Sequence, residues 1–514
     1  MKGCRNPLKK KDVMADLNGR KLIIHANGSN KIGTGHVMRS IALAQEWISR
    51  GGSAVFVGHI EGESLGQRIM NAGATFSLLP ENISQTEIVA ALLGQVRDAA
   101  KGSWIAIDSY DFTPESQLTL KEEFSRVLLV DDYHHQSKYS AALILNQNIG
   151  AEEIEYKANR DCTILAGTDY VMLRNEFREN ISNAGKPGGL QVLVTLGGAD
   201  TGNLTRSVLE ALESLNRKDI SATAVLGPAN RNRDDIADFA DKTGLPVKIL
   251  QNVGNMPELI SSSGLVISAG GSTCWEICAI EKPMAVIVTA ENQQRLTEEL
   301  HKRGAAINLG NADGISIKHI AEKVTALLDS REKRKSLAHA AHELVDGNGV
   351  IRLVDMLCAE LILRNAAQDD CARILEWAND PETRKWSYNQ NPICMPDHEK
   401  WYASRLAEAE SIYLIAENGL GDAVGQIRFQ KMEGGYEVHV LVAKEFRRGG
   451  MGSRLIRKAS LHLRERKDCC RIVARAKSEN IASVKAFEKA GYRVTAVEEV
   501  HGSPSVIMHF SEHK

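Results

Sequence analysis

The sequence contains little proline, few aromatic residues and almost no net charge. Of its 514 residues, 12 are proline and 5% are aromatic, while 63 Lys and Arg against 65 Asp and Glu leave a formal net charge of -2. No apolar run approaches the roughly 18 residues that a membrane-spanning helix needs. These absences exclude transporters and fibrous proteins. They also leave no overall charge to attract nucleic acid or an anionic membrane, so we predict neither partner.

Cysteine is present without a pairing pattern. The nine cysteines are scattered, odd in number and form no C-x-x-C pair, which favours reduced thiols and a cytoplasmic location. Cys274 and Cys278 lie one helical turn apart, but no second ligand pair follows them, so we expect no metal site. Residues 1–20 carry a charged run with no apolar segment behind it. We therefore expect a disordered extension outside the fold rather than a signal peptide.

What the chain does contain is glycine (42 residues) and a regular alternation of apolar runs with helical patterns. This alternation extends from residue 21 to about residue 345, with a glycine-rich break at 183–189. It predicts an α/β fold of two doubly wound, Rossmann-like domains, over 21–182 and 183–350, that face each other across a cleft. Residues 360–514 combine amphipathic helices with hairpin-like strands, which predicts a third, α+β domain. In open parallel sheets ligands bind at the carboxyl ends of the strands, so the cleft is the expected site.

The first strand run, KLIIHA, leads into a turn with Gly33, Gly35 and His36. A dinucleotide fingerprint would need a third glycine where this chain has Met38, and no acidic residue closes the second strand, so a Rossmann cofactor is disfavoured. The turn instead delivers His36 to the start of a helix, where free N–H groups favour a neutral imidazole that can accept a proton. The alternative is a histidine that only caps the helix.

A second glycine turn occurs in VISAGGSTCWEICAI, after a buried strand run. Its backbone N–H groups and two hydroxyls form a cradle suited to phosphate, while a carboxylate one turn later can accept from ribose hydroxyls and two amides after the next strand can reach the same ligand. This combination indicates a nucleotide diphosphate, whereas the alternative is a plain small-residue helix start. The residues concerned are Gly270, Gly271, Ser272, Thr273, Glu276, Asn292 and Gln293.

Residues 21–345 resemble the nucleotide-sugar hydrolases of pseudaminic acid biosynthesis that act on UDP-2,4-diacetamido-2,4,6-trideoxy-β-L-altropyranose. The resemblance rests on segments spread over the region, among them IGTGHVMRSIALA, AIDSY, VDDYHH, LAGTDYVMLRNEF, ISAGGSTCWE and AENQQ. It implies a GT-B-like pair of domains, His36 as the base that activates water, UDP on the second glycine turn, and inversion at C1. It further implies a sugar site with Gly35, Arg39, Asp108 and Tyr110. The chain departs from the family at Asn27, where a carboxylate is usual.

The third domain contains the run Arg447-Arg448-Gly449-Gly450-Met451-Gly452 directly before a long helix. Successive amides and arginines at a helix start suit a pyrophosphate. This spacing, followed by ENIASVKAFEKAGYR, resembles the GNAT acyltransferases, which implies acetyl-CoA as co-substrate. The resemblance assigns the coenzyme to Leu441, Val442, Arg447, Arg448, Gly449, Gly450, Met451, Gly452 and Asn480. Many GNAT enzymes place a tyrosine acid where this chain has Phe487. Glu437 and His439 are candidate bases, or else ordinary strand residues.

The opening of this domain, LILRNAAQDDCARILEWANDPETRKW, is similar to the N-acetyltransferases of the same pathway, which act on a UDP-linked 4-amino sugar. We therefore predict a bifunctional enzyme whose substrates are UDP-linked amino sugars. The alternatives are a GT-B-type glycosyltransferase, or a nucleotide-sugar-binding regulator with a degenerate GNAT domain. No feature of the sequence indicates the oligomeric state.

Overall fold

The structure is a computed structural model that describes residues 15–29, 34–97, 99–179, 190–198, 200, 202–227, 229–251, 253–467 and 471–511. Residues 1–14 of the expected extension, Gly33 of the first turn and the break at 183–189 lie outside the described residues.

The first domain is a parallel sheet with helices on both faces. Its strands, within the described ranges, are β1 (Lys21–Ala26), β2 (Ser53–Gly58), β3 (Thr75–Leu78), β4 (Trp104–Asp108), β5 (Val127–Val130), β6 (Leu143–Asn146) and β7 (Thr163–Ala166), in the spatial order β3-β2-β1-β4-β5-β6-β7. The helices are α1 (Gly35–Ser49), α2 (Glu63–Asn71), α3 (Gln85–Val96), α4 (Pro114–Glu123) and α5 (Asn175–Glu179). The central strands β4, β5 and β6 are buried along their whole length, because helices cover both faces of the sheet.

The first domain begins earlier than the sequence predicted. Leu17 is fully buried in the core beside α1, and its backbone N–H donates to the Arg50 carbonyl at 2.9 Å. The expectation that all of residues 1–20 lie outside the fold is therefore wrong for residues 15–20. Burial of Leu17 and the hydrogen bonds of Arg20 to the Asp16 and Leu420 carbonyls hold this short segment on the domain.

The second domain is a similar parallel sheet. In the described part of the chain its strands are β8 (Leu190–Thr195), β9 (Ile220–Leu226), β10 (Val247–Gln251), β11 (Leu265–Ala269), β12 (Met284–Val288) and β13 (Ile307–Asn311), in the order β10-β9-β8-β11-β12-β13. Its helices are α6 (Leu204–Ser214), α7 (Arg233–Lys242), α8 (Met256–Ser262), α9 (Thr273–Ala279), α10 (Gln294–Lys302), α11 (Ile317–Leu328) and α12 (Arg331–Leu344).

The two domains exchange packing elements at their boundary. The helix that follows the second sheet, α13 (Gly349–Ala359), returns to the first domain, where Val350, Leu353 and Leu357 are buried against α1 and its sheet. In the other direction, Phe177 of α5 is buried in the core beneath α9. Sequence periodicity does not reveal this exchange, because an apolar helix face has no label for the sheet it will cover.

The third domain has a mixed sheet in the order β14-β15-β16-β17-β18-β20-β19. Its strands are β14 (Ile362–Asn365), β15 (Ile412–Glu417), β16 (Ala423–Met432), β17 (Gly435–Val442), β18 (Arg471–Lys477), β19 (Tyr492–Val500) and β20 (Ser503–Phe510). Its helices are α14 (Cys371–Asn379), α15 (Pro381–Trp386), α16 (Met395–Leu406), α17 (Met451–Arg466) and α18 (Ile481–Lys489). The predicted fold class, two parallel-sheet α/β domains followed by an α+β domain, is confirmed.

The third domain packs against the first domain at the amino-terminal ends of the parallel strands. Trp104, the first residue of β4, donates its indole N–H to the Gly419 carbonyl in the β15–β16 turn at 3.0 Å. Arg126, directly before β5, donates to Glu417 at 2.6 Å. The last residue of β4 is Asp108, so this docking surface and the cleft lie at opposite ends of the strands of one sheet.

Candidate functional site

The cleft end of β4 holds a histidine–aspartate pair. His36 lies in the first turn of α1, and its Nδ1 is 2.6 Å from Oδ1 of Asp108, whose side chain is 1% exposed. Burial raises the pKa of Asp108, but the charge and hydrogen bonds of Arg39 and the hydrogen bond from His36 outweigh it and hold that pKa at about 2. An ionised carboxylate can only accept hydrogen bonds, so His36 donates from Nδ1. The neutral ring therefore carries its lone pair on Nε2, the nitrogen that can take a proton.

Arg39 ties this pair to a second carboxylate. Its Nε and Nη2 donate to Asp108 at 2.7 and 2.5 Å, and its Nη1 donates to both oxygens of Asp132 at 2.8 Å. Tyr110 donates its hydroxyl to Asp132 at 2.6 Å and sets its ring edge-on to His36, 4.5 Å between centroids. Burial and the Asp132 carboxylate raise the pKa of Tyr110, so it stays a phenol.

The glycine turn after β11 is built as a close-packed loop. A Cβ on Gly270 would lie 2.5 Å from Thr297 Oγ1 and 2.9 Å from Gln293 Cβ, so only glycine fits. The side-chain oxygen of Gln293 accepts from the backbone N–H of Gly270 at 3.1 Å and of Thr289 at 2.9 Å. Gln293 thus fixes the shape of the loop. By contrast, a Cβ on Gly271 or on Gly35 would meet no atom within 4 Å.

Two adjoining cavities meet at this loop. A cavity of about 420 Å³ lies inside the second domain, lined by Gly197, Gly198 and Asp200 after β8 and by Gly271, Ser272, Thr273 and Gln293. A second cavity, of about 650 Å³, spans the cleft between the domains. Its lining includes Arg39, Asp132, Tyr133 and Asn148 from the first domain and Gly270, Gly271, Ser272, Trp275, Asn292 and Gln293 from the second. Arg39, predicted for the first half, and five of the residues predicted for the second half therefore line one cavity.

Five of the residues predicted for the first two domains line neither cavity: Gly35, His36, Asp108, Tyr110 and Glu276. The side chain of His36 is 11% exposed, and its ring meets the ring of Tyr110 edge-on. Glu276 lines neither cavity and instead faces Arg174 of the first domain at 3.4 Å. Burial raises the pKa of Glu276 to about 7, although Arg174 acts to lower it. Asn27 accepts from the backbone N–H of His59 at 2.9 Å.

Sequence reasoning missed Asp132, Tyr133 and Asn148, which follow β5 and β6. Tyr133 is 52% exposed, and its hydroxyl is 3.3 Å from Nδ2 of Asn292 across the cleft. The available signal was the position of VDDY at the carboxyl end of β5, which neighbours β4, and of LNQN at the end of β6, which neighbours β5. That signal becomes specific only once the strand order is known.

The third domain has its own cavity, where β17 and β18 separate. These parallel strands pair from Gly435 and Arg471 as far as Val438 and Ala474. Beyond that point, residues of both strands line a cavity of about 570 Å³, together with the start of α17 and α18. The predicted residues in its lining are Leu441, Val442, Arg447, Arg448, Gly450, Gly452 and Asn480, and Lys477, Lys485 and Lys489 were not predicted. Gly449 and Met451 are in the same turn but outside this lining.

Arg447 lines this cavity and is also hydrogen-bonded to the protein around the glycine turn before α17 (residues 447–452). Its guanidinium donates to Asp380 at 2.7 Å, to Thr383 at 3.0 Å and to the Val442 carbonyl at 2.9 Å. These contacts join the turn to α15. Asn480 also has a structural task, since its side chain accepts from the Ser483 N–H at 3.1 Å and so caps α18.

The two candidate bases of this domain differ in their surroundings. Glu437 is ion-paired with Arg475 at 2.5 Å. Burial first, and then the charge of Arg428, lower the pKa of His439 to about 4, and its Nε2 is buried with no hydrogen-bond partner among the described residues. Phe487 is buried in the core against the ring of Tyr492.

Two family models match the second and third domains. Residues 191–349 match the family model of the glycosyltransferase family 28 C-terminal domain, and residues 360–493 match that of the acetyltransferase (GNAT) domain.

The chain is 24% identical over 492 residues to an uncharacterized protein of Methanocaldococcus jannaschii, covering 92% of this chain and 97% of that one. It is 21% identical over 292 residues to the UDP-2,4-diacetamido-2,4,6-trideoxy-beta-L-altropyranose hydrolase of Campylobacter jejuni, covering 55% of this chain and 97% of the hydrolase. Among solved structures, MurG of Acinetobacter baumannii is similar with a TM-score of 0.47 at 13% identity, covering 66% of this chain and 98% of MurG.

Within the described residues, no group of three or more His, Cys, Asp or Glu is arranged to hold a metal ion. No helix in the same ranges combines the length and apolar character that a membrane crossing requires.

Proposed function

We propose that the chain is a bifunctional enzyme of nucleotide-sugar metabolism. In this proposal the first two domains hydrolyse UDP-2,4-diacetamido-2,4,6-trideoxy-β-L-altropyranose to the free sugar and UDP, as a step of pseudaminic acid biosynthesis. The GNAT domain transfers an acetyl group from acetyl-CoA to the 4-amino group of a UDP-linked amino sugar. The observation that carries the hydrolytic half is the bonded set His36, Asp108 and Arg39 beside a cavity shared with the Gly270–Gly271 loop.

The proposed hydrolytic step uses the residues of this set. His36 accepts a proton from water at Nε2 while the water oxygen bonds to C1 of the sugar, and the bond from C1 to the phosphate oxygen breaks. Asp108 holds the ring by its Nδ1–H and stabilises the imidazolium that forms. The backbone N–H groups and hydroxyls of Ser272 and Thr273 take the charge that develops on UDP. Attack opposite the departing UDP inverts the configuration at C1.

Closure of the cleft is part of this proposal, because the side chain of His36 is not in the wall of the cleft cavity. A small movement of the two domains would bring His36 to the sugar and exclude bulk water. The cross-cleft contacts between Tyr133 and Asn292 and between Arg174 and Glu276 are both long, at 3.3 and 3.4 Å. They have room to tighten or to exchange for substrate.

Reaction in oxygen-18 water tests the hydrolytic step. We expect the label in the sugar product, because water attacks carbon. Label in UDP would show attack at phosphorus and would contradict the proposal.

The acetyl-transfer step rests on the separation of β17 and β18 at the start of α17, together with the match to the GNAT domain. The amine nitrogen attacks the thioester carbon of acetyl-CoA, the C–N bond forms, the C–S bond breaks, and CoA leaves as the thiolate. Glu437 or His439 accepts the amine proton, and the thiolate takes up a proton from solvent to give the thiol, so that the base is regenerated when it releases its proton. Glu437→Gln and His439→Asn decide between them, since only one of the two is expected to abolish transfer.

A panel of UDP-4-amino-4,6-dideoxy sugars with acetyl-CoA tests both halves when acetylation and UDP release are followed separately. The match to the glycosyltransferase family 28 C-terminal domain favours a second candidate, transfer of the sugar to an acceptor. A sugar conjugate formed only when acceptor is added would establish that candidate. Ligand binding without turnover would instead favour a regulator.

A further inference from the structure

Two adjacent carboxylates follow β5, and they face different surroundings. Asp131 accepts from the hydroxyls of Tyr156 and Tyr139 at 2.7 and 3.2 Å and from the backbone N–H of His134 at 2.9 Å. These contacts hold the loop after β5 in shape. Asp132 points to the cleft instead and is part of the wall of the 650 Å³ cavity.

Asp132 is bonded to both neighbours of the His36–Asp108 pair. It accepts from Arg39 Nη1 with both oxygens at 2.8 Å and from the Tyr110 hydroxyl at 2.6 Å. Asn148 donates to the Asp132 carboxylate at 3.3 Å and to its backbone carbonyl at 3.1 Å. Asp132 thus fixes the Arg39 guanidinium and the Tyr110 ring relative to each other.

The charges of this cluster depend on Asp132. Arg39 carries one positive charge, and alone with Asp108 it would leave the surroundings of His36 neutral. With Asp132 the cluster carries one net negative charge, which favours the imidazolium that forms when water is deprotonated. The titratable and charged side chains around His36 and its direct partners are Asp108, Arg39, Tyr110, Asp132, Tyr133, His135, His25 and Asp111.

Asp132 also sets the hydrogen-bonding role of Tyr110. The single hydroxyl proton of Tyr110 is committed to Asp132, so the lone pairs of its oxygen remain to accept from the substrate. A sugar amide N–H or hydroxyl is such a donor. Tyr110 is hydrogen-bonded to Asp132 of the cavity wall, so its oxygen is an acceptor whose direction is determined by Asp132.

We propose that Asp132 is a positioning residue of the hydrolytic site. It acts through Arg39 and Tyr110 and supplies the negative charge that lets His36 take up a proton. This inference rests on the proposed role of His36 as the base. It adds a residue that lies 24 positions beyond Asp108 in the chain and acts on His36 through Arg39 and Tyr110.

The test compares Asp132→Asn with Asp131→Asn in the full-length chain. Asn keeps the size and an acceptor oxygen but removes the charge. In Asp132→Asn we expect kcat for UDP release to fall about 30-fold with KM changed less than about 3-fold. Asp131→Asn is the matched control, because it removes the charge of the adjacent residue, whose contacts are to Tyr139, Tyr156, His134 and His135 rather than to Arg39 or Tyr110. Its kcat should stay within about 3-fold. Asp132→Glu should recover part of the loss.

A second measurement does not depend on turnover. The His36 ring can be followed by NMR in protein labelled on histidine, with His36→Asn to assign its signal. Removing one charge a few ångströms away should move the pH at which His36 takes up a proton down by about one unit in Asp132→Asn and not in Asp131→Asn. A merely structural role for Asp132 would not produce this shift.

The outcomes are distinguishable. An unshifted His36 titration in Asp132→Asn, or an equal shift in Asp131→Asn, overturns the positioning role. If the wild-type chain releases no UDP from any UDP-sugar while the shift is present, the proposed hydrolysis is wrong but the coupling of Asp132 to His36 stands.

Discussion

The cleft cluster and one face of the third sheet differ in how far their buried polar groups are satisfied. In the cleft, His36, Asp108, Arg39, Asp132 and Tyr110 satisfy one another in one bonded set. On the face of the third sheet that packs against α14 and α16, buried polar atoms of neighbouring strands have no hydrogen-bond partner among the described residues. These atoms are Tyr413 Oη, Gln426 Oε1, Arg428 Nη1 and His439 Nε2.

The difference concerns how each site responds to change. A bonded set is preorganised, so loss of one member disturbs the others. Unpartnered groups can be replaced one at a time, because each carries its own desolvation cost. The two sites also lie on separate domains, which meet at the end of the first sheet opposite to the cleft. Four predictions test whether the two sites respond to change independently.

The largest expected effect is on His36. His36→Asn should reduce kcat for UDP release by about 10³-fold, since it removes the proton acceptor. UDP binding, measured by calorimetry, and acetyl transfer, measured by CoA release, should stay unchanged in the same variant. A parallel loss of acetyl transfer would show that the two sites are not separable.

The second effect is on the pH dependence of stability, where Asp108 and Glu276 should act with opposite sign. The pKa of Asp108 is lowered to about 2, so its contribution is full above about pH 4 and is lost as the pH falls towards 2, with about 2 kcal/mol at stake. Burial raises the pKa of Glu276 to about 7, so its contribution is present at acid pH and is lost as the pH rises from about 4.5 to 7.

Denaturation curves as a function of pH check this pair. Compared with the wild type, Asp108→Asn should lose less stability as the pH falls below 4, and Glu276→Gln should lose less as the pH rises from 4.5 to 7. The assignment of Glu276 fails if the Gln variant follows the wild-type decline over that range.

The third effect concerns the docking of the third domain. Arg126→Ala leaves Glu417 with Arg364 as its remaining partner at 2.7 Å, and we expect a loss of about 2 kcal/mol in the free energy of unfolding. Lys242→Ala is the control, because its ion pair is exposed and should contribute almost nothing. Both activities should persist below the unfolding transition. A selective loss of UDP release would indicate that docking reaches the cleft.

The smallest effect is on the glycine turn before α17, which contains Gly450. Gly450 has a φ of +79°, and Gly450→Val should raise KM for acetyl-CoA about 10-fold by straining the turn, with UDP release unchanged. Gly434 has a φ of +72° in the β16–β17 turn, and a Cβ there also meets no atom within 4 Å. Gly434→Val therefore carries the same backbone strain away from the cavity. Equal effects of the two variants on KM would exclude a specific role for Gly450.

Much of the architecture could be predicted from local pattern. Buried strand runs alternating with helices require parallel sheets, and the confirmed fold class follows from that alternation. The glycine at 270 was also foreseeable, although its cause, the close approach of Thr297 and Gln293, was not. Asp132 was not singled out because its partner Arg39 lies 93 residues away in the chain.

The inward direction of Arg447 could not be predicted for a related reason. An arginine in a glycine turn before a helix fits a pyrophosphate, and nothing local distinguishes it from Arg448 beside it. The position of Asp380 and Thr383 decides the difference, and these residues belong to a helix more than 60 positions earlier.

By itself, the sequence determined which elements form, where the chain turns on glycine, and which side chains stand at the ends of strands. These properties depend on neighbours along the chain, through periodicity and backbone freedom. Only the tertiary structure decided that Asp108, Arg39 and Asp132 form one charged cluster around His36, that α13 covers the first sheet, and that the GNAT domain docks at the edge away from the cleft. Those outcomes depend on strand order and burial, which bring together residues that no spacing in the sequence relates.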